Sequence, residues 1–265
     1  LQLACLALIE SGDEILMPDP SYPCNRHFVS AADGKAVLVP TTAAERYQLT
    51  ADKVRAAWGA RTRGVLLASP SNPTGTSIAP DELRRIHDVV RSNDGITMID
   101  EIYLGLSYEE EFGHTALAID DNIISINSFS KYFNMTGWRL GWLVVPESIV
   151  DTVEQIAQHL FICPSTVSQY AALACFEAES IAEYERRRAE FKARRDYFIP
   201  ALQSLGLQVP VMPDGAFYAW ADCTQAAKRL GVDGSWDFSF ELMRRAHLAI
   251  TPGRGFGTAA TANFV

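Results

Sequence analysis

The sequence predicts an α/β fold, a layered domain with a mostly parallel sheet followed by a smaller α+β unit. Short apolar runs bounded by turn residues recur in the first half, as at Gly64–Ala68 and Ile96–Ile99. Amphipathic stretches separate them, such as Pro80–Arg91 with Leu83, Ile86 and Val90 on one face. After Pro164 the texture changes to long, charged helical sequence and then to short mixed segments. Strands alternating with helices form crossovers, and crossovers produce parallel sheets covered on both faces.

Taken in order, the chain opens inside a helix, where Cys5, Leu6, Leu8 and Ile9 share an apolar face that ends near Gly12. A strand follows at Glu14–Met17, then the turn Pro18-Asp19-Pro20. The pattern predicts a helix at Asn25–Ala32, a strand at Ala36–Val39 and a helix at Ala51–Trp58. Gly64–Ala68 and Ile96–Ile99 read as buried strands flanking the helix Pro80–Arg91. Strands at Ile123–Ile126 and Trp142–Val145 complete the first unit. Beyond it, Ser165–Glu177 reads as helix and Ile181–Leu205 as one long helix, on which Arg186, Arg187 and Arg188 form a solvated face. Strands are expected at Leu207–Val211, Ala216–Ala221 and Ala249–Thr251, with a helix at Trp236–Ala246. The division expected is residues 1–185 and 186–265, joined by the long helix.

Composition narrows the function classes. The 265 residues carry a formal charge of −9 and are 48% hydrophobic, which describes a globular chain and argues against nucleic acid as a partner. No apolar run reaches the roughly 18 residues that a bilayer span needs. The cysteines (Cys5, Cys24, Cys163, Cys175 and Cys223) form no CxxC pair and are odd in number, which fits reduced thiols in a cytoplasmic protein. The histidines show no HxxxH spacing, so no zinc site is expected.

Chemistry concentrates where strands end. Ala68 runs into Ser69-Pro70-Ser71-Asn72, Ile99 into Asp100, and Ile126 into Asn127-Ser128-Phe129-Ser130-Lys131. In open α/β sheets ligands bind beyond the carboxyl ends of strands, so these segments can converge on one crevice. Lys131 has Ser128 before it and Arg139 after it, both phosphate binders by type, an arrangement suited to holding a phosphate-bearing aldehyde. Gly137 and Gly141 would let backbone approach closely around the arginine. Asp100, at the end of a buried strand, needs a partner, and a protonated ring nitrogen would supply one. Tyr103 could aim its hydroxyl at the same ring, Asn72 could donate to a phenolate oxygen, and Tyr22 could stack on a planar ring. Taken singly these are weak signals: Asp100 also reads as a helix cap or structural ion pair, Asn72 more usually as part of a turn and Tyr103 more often as a core aromatic.

Together the segments resemble the class I/II aminotransferases, pyridoxal-phosphate enzymes of fold type I. The likeness rests on Ser128-Phe129-Ser130-Lys131, Met135-Thr136-Gly137-Trp138-Arg139-Leu140-Gly141-Trp142, Asn72-Pro73-Thr74-Gly75 and Asp100-Glu101-Ile102-Tyr103, in family order. It extends from PDPSYP near the start to PDGAFYAW near the end. The resemblance implies a three-layer, seven-stranded-type sheet, pyridoxal 5'-phosphate as cofactor and transfer of an amino group between an amino acid and a 2-oxo acid. It implies that Lys131 forms the imine, that Asp100 pairs with the pyridinium nitrogen, and that Tyr103 and Asn72 hydrogen-bond the ring 3-oxygen. Tyr22 would stack on the ring, while Ser128, Ser130 and Arg139 would bind the phosphate. A homodimer is expected, because family sites are completed by a neighbouring subunit.

Family members carry a Gly/Ser-rich phosphate turn before the position of Leu1 and a substrate-carboxylate arginine after that of Val265, so the sequence reads as a fragment. Arg254 is not assigned the arginine's role. Other readings stay open at this point: a pyridoxal-phosphate lyase or acyltransferase, or an aminotransferase-like sensing domain of a transcription regulator. The stretch Gln158–Pro164 has no arginine for a dicarboxylate, and Leu160, Phe161 and Ile162 would tolerate a neutral or hydrophobic substrate side chain.

Overall fold

The computed structural model describes residues 1–265. Six strands form one sheet: β1 (Glu14–Asp19), β2 (Lys35–Pro40), β3 (Thr62–Ala68), β4 (Ile96–Asp100), β5 (Ile124–Ser128) and β6 (Gly141–Val144). Their order is β2-β1-β3-β4-β5-β6, parallel except for β6, which runs antiparallel to β5 at the edge. The sheet thus has six strands where the resemblance implied seven.

Alternation along the strands makes the three layers. Leu16, Val65, Leu67 and Ile99 point to one face and pack with Val54 of α3 (Ala51–Ala57) and Leu83, Ile86 and Val90 of α4 (Pro80–Arg91). Their neighbours Ile15, Met17, Leu66 and Met98 point the other way, onto Ala4 and Cys5 of α1 (Gln2–Leu8) and Val29 of α2 (Pro23–Ser30). Strands buried on both faces read as continuous apolar runs, which is why they were visible in the sequence. Each fully buried large aliphatic contributes about 1.5–3 kcal/mol, so these two clusters are the main store of stability.

The chain leaves β1 for β2 on one side and then crosses to β3 on the other. That reversal opens a crevice at the carboxyl ends of β1 and β3. Register then lines up Ala68, Asp100 and Ile126 across three adjacent strands. Neighbouring strands are about 4.8 Å apart, so residues following these three positions share one rim.

The second half departs from expectation in several places. A helix α5 (Val150–Phe161), not foreseen, follows β6. The segment Ser165–Glu177 is a helix α6 (Thr166–Leu173) and then a single 3-10 turn. The long helix α7 runs from Ala178 to Ser204. Its arginines are not all idle in solvent: Arg188 donates to the Ser107 carbonyl at 3.1 Å and pairs with Glu185. Glu185 in turn accepts from the Tyr132 hydroxyl at 2.5 Å.

The three expected strands of the second unit do not form. Gln208 and Asp222 exchange a single antiparallel pair of hydrogen bonds, at 3.1 and 2.7 Å. The next donor in that ladder would be two residues on, at Pro210, which has no N–H. Ala249–Thr251 has no strand beside it. Two helices, α8 (Thr224–Leu230, also unforeseen) and α9 (Gly234–Ala246), pack on Cys223, Ala227 and Phe238.

Candidate active site

A cavity of about 560 Å³ opens at the carboxyl ends of the strands. Tyr22, Asn72, Asp100, Tyr103, Ser128, Ser130, Lys131 and Arg139 all line it. The four segments singled out in the sequence therefore meet in one place.

Asp100 ends β4 and receives one hydrogen bond, from the Ile102 N–H at 3.0 Å. Burial pushes its carboxyl up to about 6, against the pull of that N–H and of the Lys131 ammonium. A carboxylate so placed is under-satisfied and favours a proton or a cationic partner.

Lys131 follows β5 in a tight turn. Its ammonium sits 5.6 Å from the centre of the Tyr103 ring and 5.7 Å from that of Phe217. Two aromatic rings flank the amine, and it makes no salt bridge. Beside the turn, Phe129, Phe133, Trp142 and Phe176 form an aromatic cluster of edge-to-face and tilted pairs, and Met135 is buried against Cys175. The Phe129 N–H donates to Leu140 at 3.1 Å and the Met135 N–H to Phe129 at 2.9 Å, closing the loop on itself.

Hydroxyls gather at that loop. Ser128 Oγ is 2.9 Å from Ser130 Oγ and accepts from the Ser130 N–H at 3.0 Å. Thr136, which the sequence reading had not picked out, also lines the cavity and donates to the Ser130 carbonyl at 2.5 Å. Arg139 adopts the left-handed conformation (φ 53°) and donates to the Thr136 carbonyl at 2.9 Å. Gly141 permits the close strand approach expected of it, since a Cβ there would lie 2.6 Å from the Asn127 carbonyl oxygen. Gly137 does not: nothing lies within 4 Å of where its Cβ would be, so that expectation fails.

On the opposite wall, Tyr22 caps the start of α2 with its ring 39% exposed. Its phenol is raised to about 12 by a hydrogen bond with Cys24 and by burial. One helical turn on, Asn25 is buried and lines the cavity, and its Oδ1 has no hydrogen-bond partner. Tyr103 is 5% exposed, and its hydroxyl lies 2.5 Å from that of Tyr218. Tyr218 and Asn25 were both missed. Asn25 sits on α2 one turn from Tyr22, and periodicity gives no sign that it faces a cavity; Tyr218 comes from a distant segment, PDGAFYAW, that carried part of the resemblance.

Leu160, Phe161 and Ile162, expected to shape substrate choice, do not line the cavity. They end α5 and are 57%, 50% and 80% exposed. Arg254 is not in the lining either; its guanidinium lies over the Trp236 ring. No group of His, Cys, Asp and Glu side chains could hold a metal ion.

Comparison with known proteins gives the family. The family model described as "Aminotransferase class I and II" matches residues 1–264. The chain belongs to that family. It is 37% identical over 264 residues to a valine–pyruvate aminotransferase of Mycobacterium tuberculosis, covering 99% of this chain and 66% of that one. An aspartate aminotransferase of Bacillus sp. (strain YM-2) is 32% identical over 259 residues, 96% of this chain and 66% of its own. Among solved structures, an aminotransferase from Mycobacterium tuberculosis superposes with a TM-score of 0.93 at 37% identity, over 100% of this chain and 67% of that chain. An aromatic aminotransferase from Pyrococcus horikoshii OT3 gives 0.89 at 31% identity, over 100% and 70%. The chain thus spans about two thirds of the length of the curated relatives it matches. The α/β fold with a mostly parallel sheet is that of these aminotransferases.

Proposed function

We propose that the protein is a pyridoxal-phosphate-dependent aminotransferase moving an amino group between an amino acid and a 2-oxo acid. The observation that carries this reading is one cavity holding an amine, an under-satisfied carboxylate and a hydroxyl-and-guanidinium cluster. The residues fit pyridoxal phosphate end to end. Ser128, Ser130 and Arg139 match the phosphate, with Thr136 adjacent; Asp100 matches a protonated ring nitrogen; Tyr103 and Asn72 match the ring oxygen. The orphaned Oδ1 of buried Asn25 also favours a polar occupant.

When bound, pyridoxal phosphate supplies an aldehyde for a lysine amine and a ring that draws electrons from the substrate's α-carbon. Asp100 holds a proton at the ring nitrogen, paired as a charge that its own burial otherwise disfavours. Tyr22 covers one ring face and limits water there. Tyr103 directs its hydroxyl at the ring oxygen. With the cofactor bound, Lys131 Nζ would take a proton from the substrate Cα as a general base and, as the resulting ammonium, would deliver it to the former aldehyde carbon.

The proposal extends to architecture. Residues 1–185 act as the cofactor-binding unit and 186–265 as a smaller unit, with α7 spanning the junction. A homodimer fits the apolar side chains left exposed along α5 and α6, among them Leu160, Phe161, Ile162, Val167, Tyr170 and Leu173. No helix is long and apolar enough to cross a membrane, and a cytoplasmic setting fits five unpaired cysteines.

The test is a half-reaction with a panel of amino donors on the full-length protein. One equivalent of 2-oxo acid per site, with the starting absorption restored by a second 2-oxo acid, is the expected result. Ammonia release from the donor would replace transamination with elimination.

A further inference from the structure

We infer that Tyr218 is a positioning residue: its hydroxyl donates to that of Tyr103 and so turns the Tyr103 proton into the cavity, toward the cofactor's ring oxygen. The inference rests on the cofactor assignment above and adds to it a residue to which neither the resemblance nor the family match gives a role.

The geometry is direct. The two hydroxyl oxygens are 2.5 Å apart, a strong hydrogen bond between neutral phenols. Burial raises both phenols, most strongly Tyr103, so both stay protonated through neutral pH. The pair then holds two protons and uses one between its oxygens. The other remains on whichever tyrosine accepts. Beside Tyr103 lies the cavity where the ring oxygen, an acceptor, is assigned. A spare proton on Tyr103 bonds that oxygen, whereas a spare proton on Tyr218 would leave two sets of lone pairs facing each other. The polarity Tyr218 to Tyr103 to ring oxygen is therefore the favoured one, and a donor that itself accepts a bond is strengthened.

The mount is rigid. Tyr218 belongs to a turn pinned by the Asp214 and Gly215 N–H groups, which donate to the Gly75 carbonyl at 2.9 and 3.0 Å. Gly75 has φ +66°, and a Cβ there would lie 2.6 Å from Pro213, so the two turns meet only because position 75 is glycine. The Asp214 carboxylate accepts from the Ser77 N–H at 3.0 Å and Ser77 Oγ at 2.5 Å and pairs with Arg46. The rings of Tyr103 and Tyr218 stand edge to face at 5.5 Å. A hydroxyl held this tightly loses little entropy in orienting its neighbour.

The test is an absorbance pH titration of the Lys131–cofactor linkage in the full-length, pyridoxal-phosphate-loaded protein. Wild type, Tyr218→Phe, Tyr103→Phe and the double variant are compared. All four keep the charged and titratable groups that face Tyr103, namely Asp100, Lys131 and Tyr22, and all keep both rings. A hydrogen bond to the ring oxygen stabilises its phenolate and lowers the proton affinity of the linkage. Tyr103→Phe is expected to raise the titration midpoint by about one unit, and Tyr218→Phe by about half a unit. In the Tyr103→Phe background the Tyr218 change should add nothing. A Tyr218→Phe midpoint equal to wild type, or an equal shift in both backgrounds, would overturn the inference. If wild type itself shows no such absorption, the cofactor assignment fails, and this inference fails with it.

Discussion

Asp100 and Glu101 are consecutive residues, both acidic and both set among apolar strands, yet they meet opposite surroundings. Glu101 is 3% exposed and fully engaged: Thr115 Oγ1 at 2.8 Å, the Ala116 N–H at 2.7 Å and Ser125 Oγ at 2.5 Å all donate to it. Asp100 receives only the Ile102 N–H and faces the cavity. A third carboxylate, Asp19 at the end of β1, behaves like Glu101. It accepts from the Thr258 N–H, Thr258 Oγ1 and the Ala259 N–H and ties a late segment to the sheet. Asp19 and Glu101 are thus satisfied by the protein itself, as is Asp214, whereas Asp100 is left to be satisfied by something else. A fully bonded buried acid is structural, whereas an under-satisfied one facing a cavity is a candidate for function.

The contrast is open to direct attack. The largest effect expected is on catalysis: Asp100→Asn should lower the amino-transfer rate on the order of 10³-fold or more, since the ring nitrogen loses its charge partner. Steady-state kinetics at saturating cofactor checks it, and a rate within tenfold of wild type would erase the distinction. Next comes stability at the neighbouring site. Glu101→Ala strands buried donors and should cost on the order of 3 kcal/mol in chemical denaturation. Capture of the cofactor per folded molecule should stay unchanged.

The subtlest effect is the pH dependence of the same Asp100→Asn variant without cofactor. The folded carboxyl titrates near 6 and the unfolded one near 3.8, so the folded state holds this proton more tightly. At a pH below both values the group is neutral in both states and the variant gains nothing. As pH rises through the folded value, wild type loses stability that the amide keeps, up to about 3 kcal/mol. A gain from Asn that is the same at pH 3.5 and pH 7 would show that the carboxyl is not strained by burial.

Much of this was legible from sequence, for a physical reason. Strands buried on both faces cannot hide, because Val65–Leu67 or Met98–Ile99 must be apolar throughout, and the residues following them must lie on one rim. The listing of Asp100 beside Glu101, by contrast, carries no sign of which acid faces the cavity; the pleat decides that. Tyr218 was hidden because its partner lies 115 positions away and its segment read as a strand. The strand expected opposite it, Leu207–Val211, fails at Pro210 through one missing donor, a local fact outweighed by the apolar pattern of that stretch. α5 and α8 went unseen, α5 because it buries none of its residues. Its inward face, Val153, Ile156 and Ala157, is only half-buried, while Leu160 and Phe161 on the same helix are exposed, which blurs the apolar stripe.

The central claim is that the amine at Lys131 is the one that takes up the cofactor. Borohydride reduction of the full-length protein with pyridoxal phosphate, followed by peptide mapping by mass spectrometry, tests it most directly. The account predicts one pyridoxyl group per chain, on the peptide carrying Lys131, and none on Lys131→Ala. Stoichiometric label on another lysine, or none at all, would contradict it.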